Sequence, residues 1–276
     1  MSLEQPGHGP LDYVAVTYPG SMAEFRGPPV DFETLDIVCI GGSETFGRFV
    51  PHPFPQLLGV ALGRKVANFG VMNAGLDLFL HDAAIGTAMN AARAVVLQIS
   101  GAHMMTNRFY RVHPRRNDRF LRASPALATV YRDTDFTEFH FVRHMLAVLA
   151  DTSPDRFRLV VQEVQAAWLA RMKMLIARLD VPVHLLWIGA HAPGNAAVAA
   201  HLDTGTDPLF VTAPMIEELR PDVASVCLCP ADAIELEHPT AGMFFGPREV
   251  TAARVLPGPS QHDRAATLLA EAFGGA

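Results

Sequence analysis

Residues 35–47, Leu-Asp-Ile-Val-Cys-Ile-Gly-Gly-Ser-Glu-Thr-Phe-Gly, constrain the fold of this chain more than any other stretch. Ile37, Val38, Cys39 and Ile40 are apolar and mostly β-branched, the composition of a strand covered on both faces in a parallel sheet. Gly41 and Gly42 follow, and residues without a Cβ let the backbone turn sharply as the strand ends. Ser43 is thereby expected at the carboxyl end of the strand, where open α/β sheets hold their ligands. Backbone N–H groups at such a junction point at whatever occupies the site, which makes Ser43 a candidate nucleophile. The ordinary alternative is a turn residue or helix cap.

The same rhythm continues downstream. Residues 54–62 carry apolar side chains at helical spacing and stop at Gly63. Residues 65–69 read as a second strand leading into the glycine-bearing loop 68–75, residues 77–93 as one helix capped by Asp77, and residues 94–99 as an almost wholly apolar third strand that exits at Ser100-Gly-Ala-His103. A β-α-β-α-β series argues for right-handed crossovers and a doubly wound sheet. The alternation stops over residues 106–156, read as a helical insertion on the ligand side with helical character at 139–149. A long amphipathic helix at 156–179, capped near Ser153 or Asp155, then leads to a strand at 181–188, a helix at 213–219 and a strand at 225–229. A closing helix starts at Ser260 or His262. The expected fold is three-layer, flavodoxin-like α/β with about five parallel strands. Residues 1–34, rich in Pro and Gly, predict an irregular lead-in without regular elements, and residues 35–276 a single domain.

At 276 residues, half of them apolar, the chain can bury a large core. A net charge of -6 gives no overall attraction for nucleic acid. Three cysteines, an odd number, do not suggest a disulfide framework. The first residues lack a basic start followed by an apolar run, and no apolar run reaches the roughly 20 residues that span a bilayer. A soluble cytoplasmic protein without a membrane partner is expected. His140 and His144 have helical metal-ligand spacing and Cys227 and Cys229 share a strand face, but neither pair has further ligands beside it, so no metal is expected. No phosphate-binding Gly-x-x-x-x-Gly-Lys-Ser/Thr loop occurs, and no cofactor is called for.

Acyl transfer needs a nucleophile, a base and donors where the oxyanion develops. Ser43 is the candidate nucleophile, the Gly70 N–H and the His103 side chain are candidate oxyanion donors, and His262, entering the last helix, is the candidate base. Four segments resemble the blocks of the SGNH, or GDSL-like, hydrolase superfamily: Gly41-Gly-Ser-Glu-Thr45, Asn68-Phe-Gly70, Gly101-Ala-His103-Met104 and Pro259-Ser-Gln-His262. The resemblance implies a serine esterase or acyltransferase with Ser43, His262, Gly70 and His103 in its catalytic machinery. Departures accompany it. Gly42 replaces an aspartate, His103 stands where the oxyanion asparagine belongs, and Pro259 replaces the triad carboxylate. His262 then needs another orienting group, for which Asp36, Glu237 or a backbone carbonyl are candidates, or catalysis uses a Ser–His dyad.

A narrower resemblance, carried by residues 107–124 and by the Gly41–Gly47 stretch, is to an uncharacterised bacterial family sharing this arginine-rich signature, in which threonine can stand at the position of Ser43. Arg108, Arg111, Arg115 and Arg116, with Asn68, Asn73 and Asn107, are candidate substrate-binding residues, because guanidinium groups bind anions in bidentate fashion. The alternative is that these arginines pair with Asp118, Asp133, Asp135 and Glu138. Three functions follow: an ester hydrolase or acyltransferase acting on a carbohydrate or small anionic ester, a catalytically inactive binder of an anionic glycan or metabolite, and a structural protein that dimerises through the Phe-rich residues 136–141.

Overall fold

The computed structural model describes residues 9–195 and 208–274, so the first eight residues of the expected lead-in lie outside it. The lead-in is less irregular than expected. β1 (Ala15–Val16) and β2 (Phe25–Arg26) pair antiparallel, and Phe25, Tyr18 and Phe32 surround the ring of Phe69.

The core continues with β3 (Ile37–Gly41), α1 (Ser43–Phe46), α2 (Phe54–Leu62), β4 (Val66–Gly70), α3 (Leu76–His81), α4 (Ala83–Ala91) and β5 (Ala94–Gln98). The insertion opens with a hairpin, β6 (Tyr110–Val112) and β7 (Phe120–Ala123), before α5 (Pro125–Val130) and α6 (Val142–Thr152). It is therefore not purely helical. After α7 (Pro154–Ile176) come β8 (Val183–Gly189), α8 (Ala213–Leu219), β9 (Ser225–Pro230), α9 (Ala233–Glu237), α10 (Val250–Ala253) and α11 (Pro259–Gly274).

Five parallel strands form the central sheet in the order β4-β3-β5-β8-β9, the flavodoxin-like arrangement. Because side chains alternate across a strand, β3 feeds two cores at once. Ile37 and Cys39 pack with Phe54, Leu58, Ala265 and Leu269 of α2 and α11, whereas Val38 and Ile40 belong to the larger core with Ile85, Val164 and Trp168. Three layers result.

The single helix expected over 77–93 is two. The Asp82 carboxylate accepts the N–H groups of Ala84 and Ile85 and so starts α4 anew. Asp77 is not a cap. It accepts the Thr106 N–H at 2.7 Å and pairs with Arg171 at 3.3 Å, tying α3 to α7. The Phe-rich segment turns inward, since Phe136 and Phe139 pack against Phe120 at ring separations of 6.5 and 6.4 Å and against each other at 6.1 Å, and Phe141 is the exposed one of the three.

Candidate active site

The strand order reverses between β3 and β5, and their carboxyl ends flank the crevice where sheets of this kind bind ligands. Ser43 leaves β3 there as the first residue of α1. That helix has no side-chain cap of its own, because its N-cap is Gly42. Gln98, the last residue of β5, supplies the missing acceptor. Its Oε1 takes the Gly42 N–H (2.9 Å), the Thr45 N–H (3.3 Å) and the Thr45 hydroxyl (2.6 Å), and its Nε2 donates to Glu44 Oε2 at 2.8 Å. Neither Gly41 nor Gly42 has a positive φ. Gly41 is needed for room, since a Cβ there would collide with Thr45 Oγ1 and Gln98 Oε1.

Ser43 Oγ accepts the Asn73 N–H at 3.0 Å, which leaves its own proton free for a base. Asn73 holds a left-handed conformation (φ 58°), and its carbonyl accepts the Asn117 N–H at 2.8 Å. Asn117 is fully buried and also binds the Gly75 N–H, so the loop after β4 is fixed against Ser43. Ser43, Asn73 and His103 line one cavity of about 740 Å³, together with Glu44, Gln98, Ser100, Asp118, Arg143 and Arg248. Two carboxylates and two guanidinium groups thus balance in formal charge. His103 is buried, and its carbonyl accepts the Tyr110 hydroxyl at 2.8 Å. A neighbouring cavity of about 450 Å³ at the ends of β8 and β9 shares Glu44, Val255 and Leu256 with the first. A larger cavity, about 770 Å³, lies against the lead-in and α2, but neither Ser43 nor His103 lines it.

His262 is elsewhere. It is fully buried on α11, does not line the Ser43 cavity, and its Nδ1 accepts the N–H of Phe54, the first residue of α2, at 3.0 Å. Accepting at Nδ1 places the neutral ring's proton on Nε2, so Nε2 cannot take a proton from a serine. Nε2 has no hydrogen-bond partner. Burial lowers the pKa to about 3, with Arg26 a further cause. The imidazole acts as a helix cap, stacked on Phe54 at 5.9 Å. None of the orienting groups considered for it is in place. Asp36 precedes β3, at the amino end of that strand, where it accepts the Lys65 N–H.

The other expected residues divide in the same way. The Gly70 N–H is taken by Asn68 Oδ1 at 2.9 Å, and Asn68 Nδ2 donates to Thr45 O at 2.9 Å, so both residues brace α1. A Cβ on Gly70 would strike the backbone of Thr45 and Phe46. Asn107 closes its own turn on the Phe109 and Tyr110 N–H groups. Arg108 pairs with Glu163 at 3.2 Å, Arg115 donates to Met22 O, Arg116 pairs with Asp118 at 3.3 Å, and Arg111 faces Arg122 across the β6–β7 hairpin. These four arginines do not converge, and the guanidinium groups at the cavity are Arg143 and Arg248. Sequence reasoning missed those two, along with Ser100, Asp118 and Gln98. Gln98 alone carried a signal, as a polar residue closing an otherwise apolar strand.

Among the described residues no cluster of three or more metal-ligating side chains occurs, and no helix is long and apolar enough to cross a membrane. Solved structures similar in outline include the lipase Lip_vut3 from a goat rumen metagenome (13% identity, 87% of this chain and 97% of that chain, TM-score 0.40). Others are a protein described as a possible lipase from Chitinophaga pinensis DSM 2588 (12%, 87% and 98%, TM-score 0.45) and a protein from Lactobacillus plantarum (12%, 88% and 96%, TM-score 0.38). Likenesses this distant do not bear on activity. No curated protein matches the chain in sequence. Residues 1–275 match the family model described as Domain of unknown function (DUF6473), and the chain belongs to that family.

Proposed function

We propose that this protein is an SGNH-like serine ester hydrolase or acyltransferase in which Ser43 is the nucleophile and His103, rather than His262, takes its proton. The observation that carries the reading is the shared cavity: Ser43, held by the Asn73 N–H, and His103 line it together at the reversal of strand order. Ser43 Oγ attacks the ester carbonyl as its proton passes to His103. The oxyanion is received by the Ser43 N–H at the start of α1, beside the Gly42 and Thr45 N–H groups that Gln98 already holds. His103 then protonates the departing alcohol, and a water or second alcohol releases the acyl group from Ser43. The Ser43 cavity, of about 740 Å³, leaves room for both halves of a small ester.

The test is hydrolysis of short-chain p-nitrophenyl esters by the parent, Ser43→Ala and His103→Gln proteins, with labelling by a fluorophosphonate located by mass spectrometry. Loss of at least about a thousandfold in kcat in both variants, with the label on Ser43, is expected. An inactive parent, or a Ser43→Ala protein that keeps its activity, would sink the reading. A second reading, a binding protein without turnover, is favoured by the use of the sequence-matched His262 as a helix cap, and an inactive parent moves the weight there.

A further inference from the structure

We propose that the Ser43 cavity holds a non-reacting subsite, formed by Ser100 and Asp118, that binds a neutral, hydroxyl-rich group such as a sugar or polyol. That this group belongs to an ester rests on the Ser43 reading; its binding does not.

Ser100 is 6% exposed, lines the cavity, and its Oγ has no hydrogen-bond partner. Its backbone is fixed, because the Trp168 indole donates to its carbonyl at 3.0 Å and the preceding Ile99 N–H goes to Leu186 O at 2.9 Å. Only the side-chain torsion remains to bring the hydroxyl onto a ligand. Asp118 lines the same cavity. Its Oδ2 accepts from Arg116, its Oδ1 is buried without a partner, and its carbonyl accepts the Val142 N–H at 2.9 Å. Buried polar groups are nearly always hydrogen-bonded, so two such atoms on residues that line one cavity need an explanation.

Their chemistry narrows the ligand. A carboxylate oxygen accepts only, so the ligand must bring an O–H or N–H to Asp118, whereas the serine hydroxyl both donates and accepts. The two carboxylates and two guanidinium groups on the cavity sum to zero formal charge, so no net field there favours an anion or a cation. A neutral group bearing several hydroxyls meets these requirements.

The test is saturation-transfer NMR titration of the full chain with methyl α-glucopyranoside, using the parent, Ser100→Ala, Ser100→Thr and Asp118→Asn proteins, each checked for folding by circular dichroism. Binding by the parent is expected, weakened about tenfold or more in Ser100→Ala and Asp118→Asn and recovered in Ser100→Thr, which keeps the hydroxyl. No saturation transfer in the parent, or equal binding by folded Ser100→Ala, would overturn the proposal. Hydrolysis of p-nitrophenyl acetate by the same parent preparation decides the Ser43 reaction separately: sugar binding without hydrolysis keeps the subsite and removes the reaction.

Discussion

Replacing His262 by alanine separates a helix cap from a catalytic base. In the folded protein the ring is fully buried, accepts the Phe54 N–H at 3.0 Å and stacks on Phe54. Alanine leaves that buried N–H without an acceptor, a cost of about 1–3 kcal/mol, and opens a cavity that adds about 2 kcal/mol more. A loss of roughly 3–5 kcal/mol at neutral pH follows from these two costs. Asparagine, whose Oδ1 can stand in for Nδ1, should recover part of it. The pH dependence is the sharper signature. Burial holds the folded-state pKa at about 3, below the unfolded value near 6.5, so the stabilisation by neutral His262 is complete above about pH 6.5 and is lost as the pH falls toward 3. The loss runs at about 1.4 kcal/mol per pH unit, and a variant lacking the ring is spared it. The gap between parent and His262→Ala should therefore narrow by roughly 2 kcal/mol between about pH 7.5 and about pH 5. Urea unfolding at the two pH values, followed through the buried Trp168 and Trp187, measures it. A gap that does not change with pH, or a His262→Ala protein of parental stability that has lost ester hydrolysis, would refute the cap argument and restore His262 as a base.

Two further substitutions probe how Ser43 is held. Gln98→Leu removes the acceptor of three donors from Gly42 and Thr45, and should cost about 2–4 kcal/mol in chemical denaturation and abolish Ser43 labelling by a fluorophosphonate; labelling at the parental rate would contradict it. Gly70→Ala pushes a methyl group into the Thr45 and Phe46 backbone, so a loss of about 1–3 kcal/mol and displaced amide NMR resonances for residues 43–46 are expected, and unshifted resonances would count against the close contact.

Much of the fold was legible in the chain because the signals were local. The apolar run at residues 37–40 became β3, and the helical spacing before Gly63 became α2 with Gly63 in the left-handed conformation. Ser153 was a readable cap for α7. Asp82 was an equally local signal, hidden by the continuous periodicity around it. The site was legible only where strand ends determine it. Ser43, Asn73 and His103 reach one cavity because each follows a strand of the parallel sheet. His262 fits a spacing pattern, but the face of α11 that meets α2 is set by packing across 208 residues of chain, which no local motif reports. The arginines of the insertion look like an anion site when read in line, and the hairpin and its neighbours scatter them.

The Arg26 guanidinium, buried in the folded protein, donates to the carbonyls of Phe46, Gly47, Val50 and Pro51. Those acceptors lie 20 to 25 residues downstream, whereas α2 waits for a cap 208 residues away. On the ribosome, the backing of α1 can be seated once the chain has emerged as far as β4, since β2 also leans on Phe69. His262 of α11 emerges 208 residues after Phe54, and closing that long loop is entropically the slower step. Synthesis from the amino terminus thus seats the support of α1 well before the cap of α2 is available.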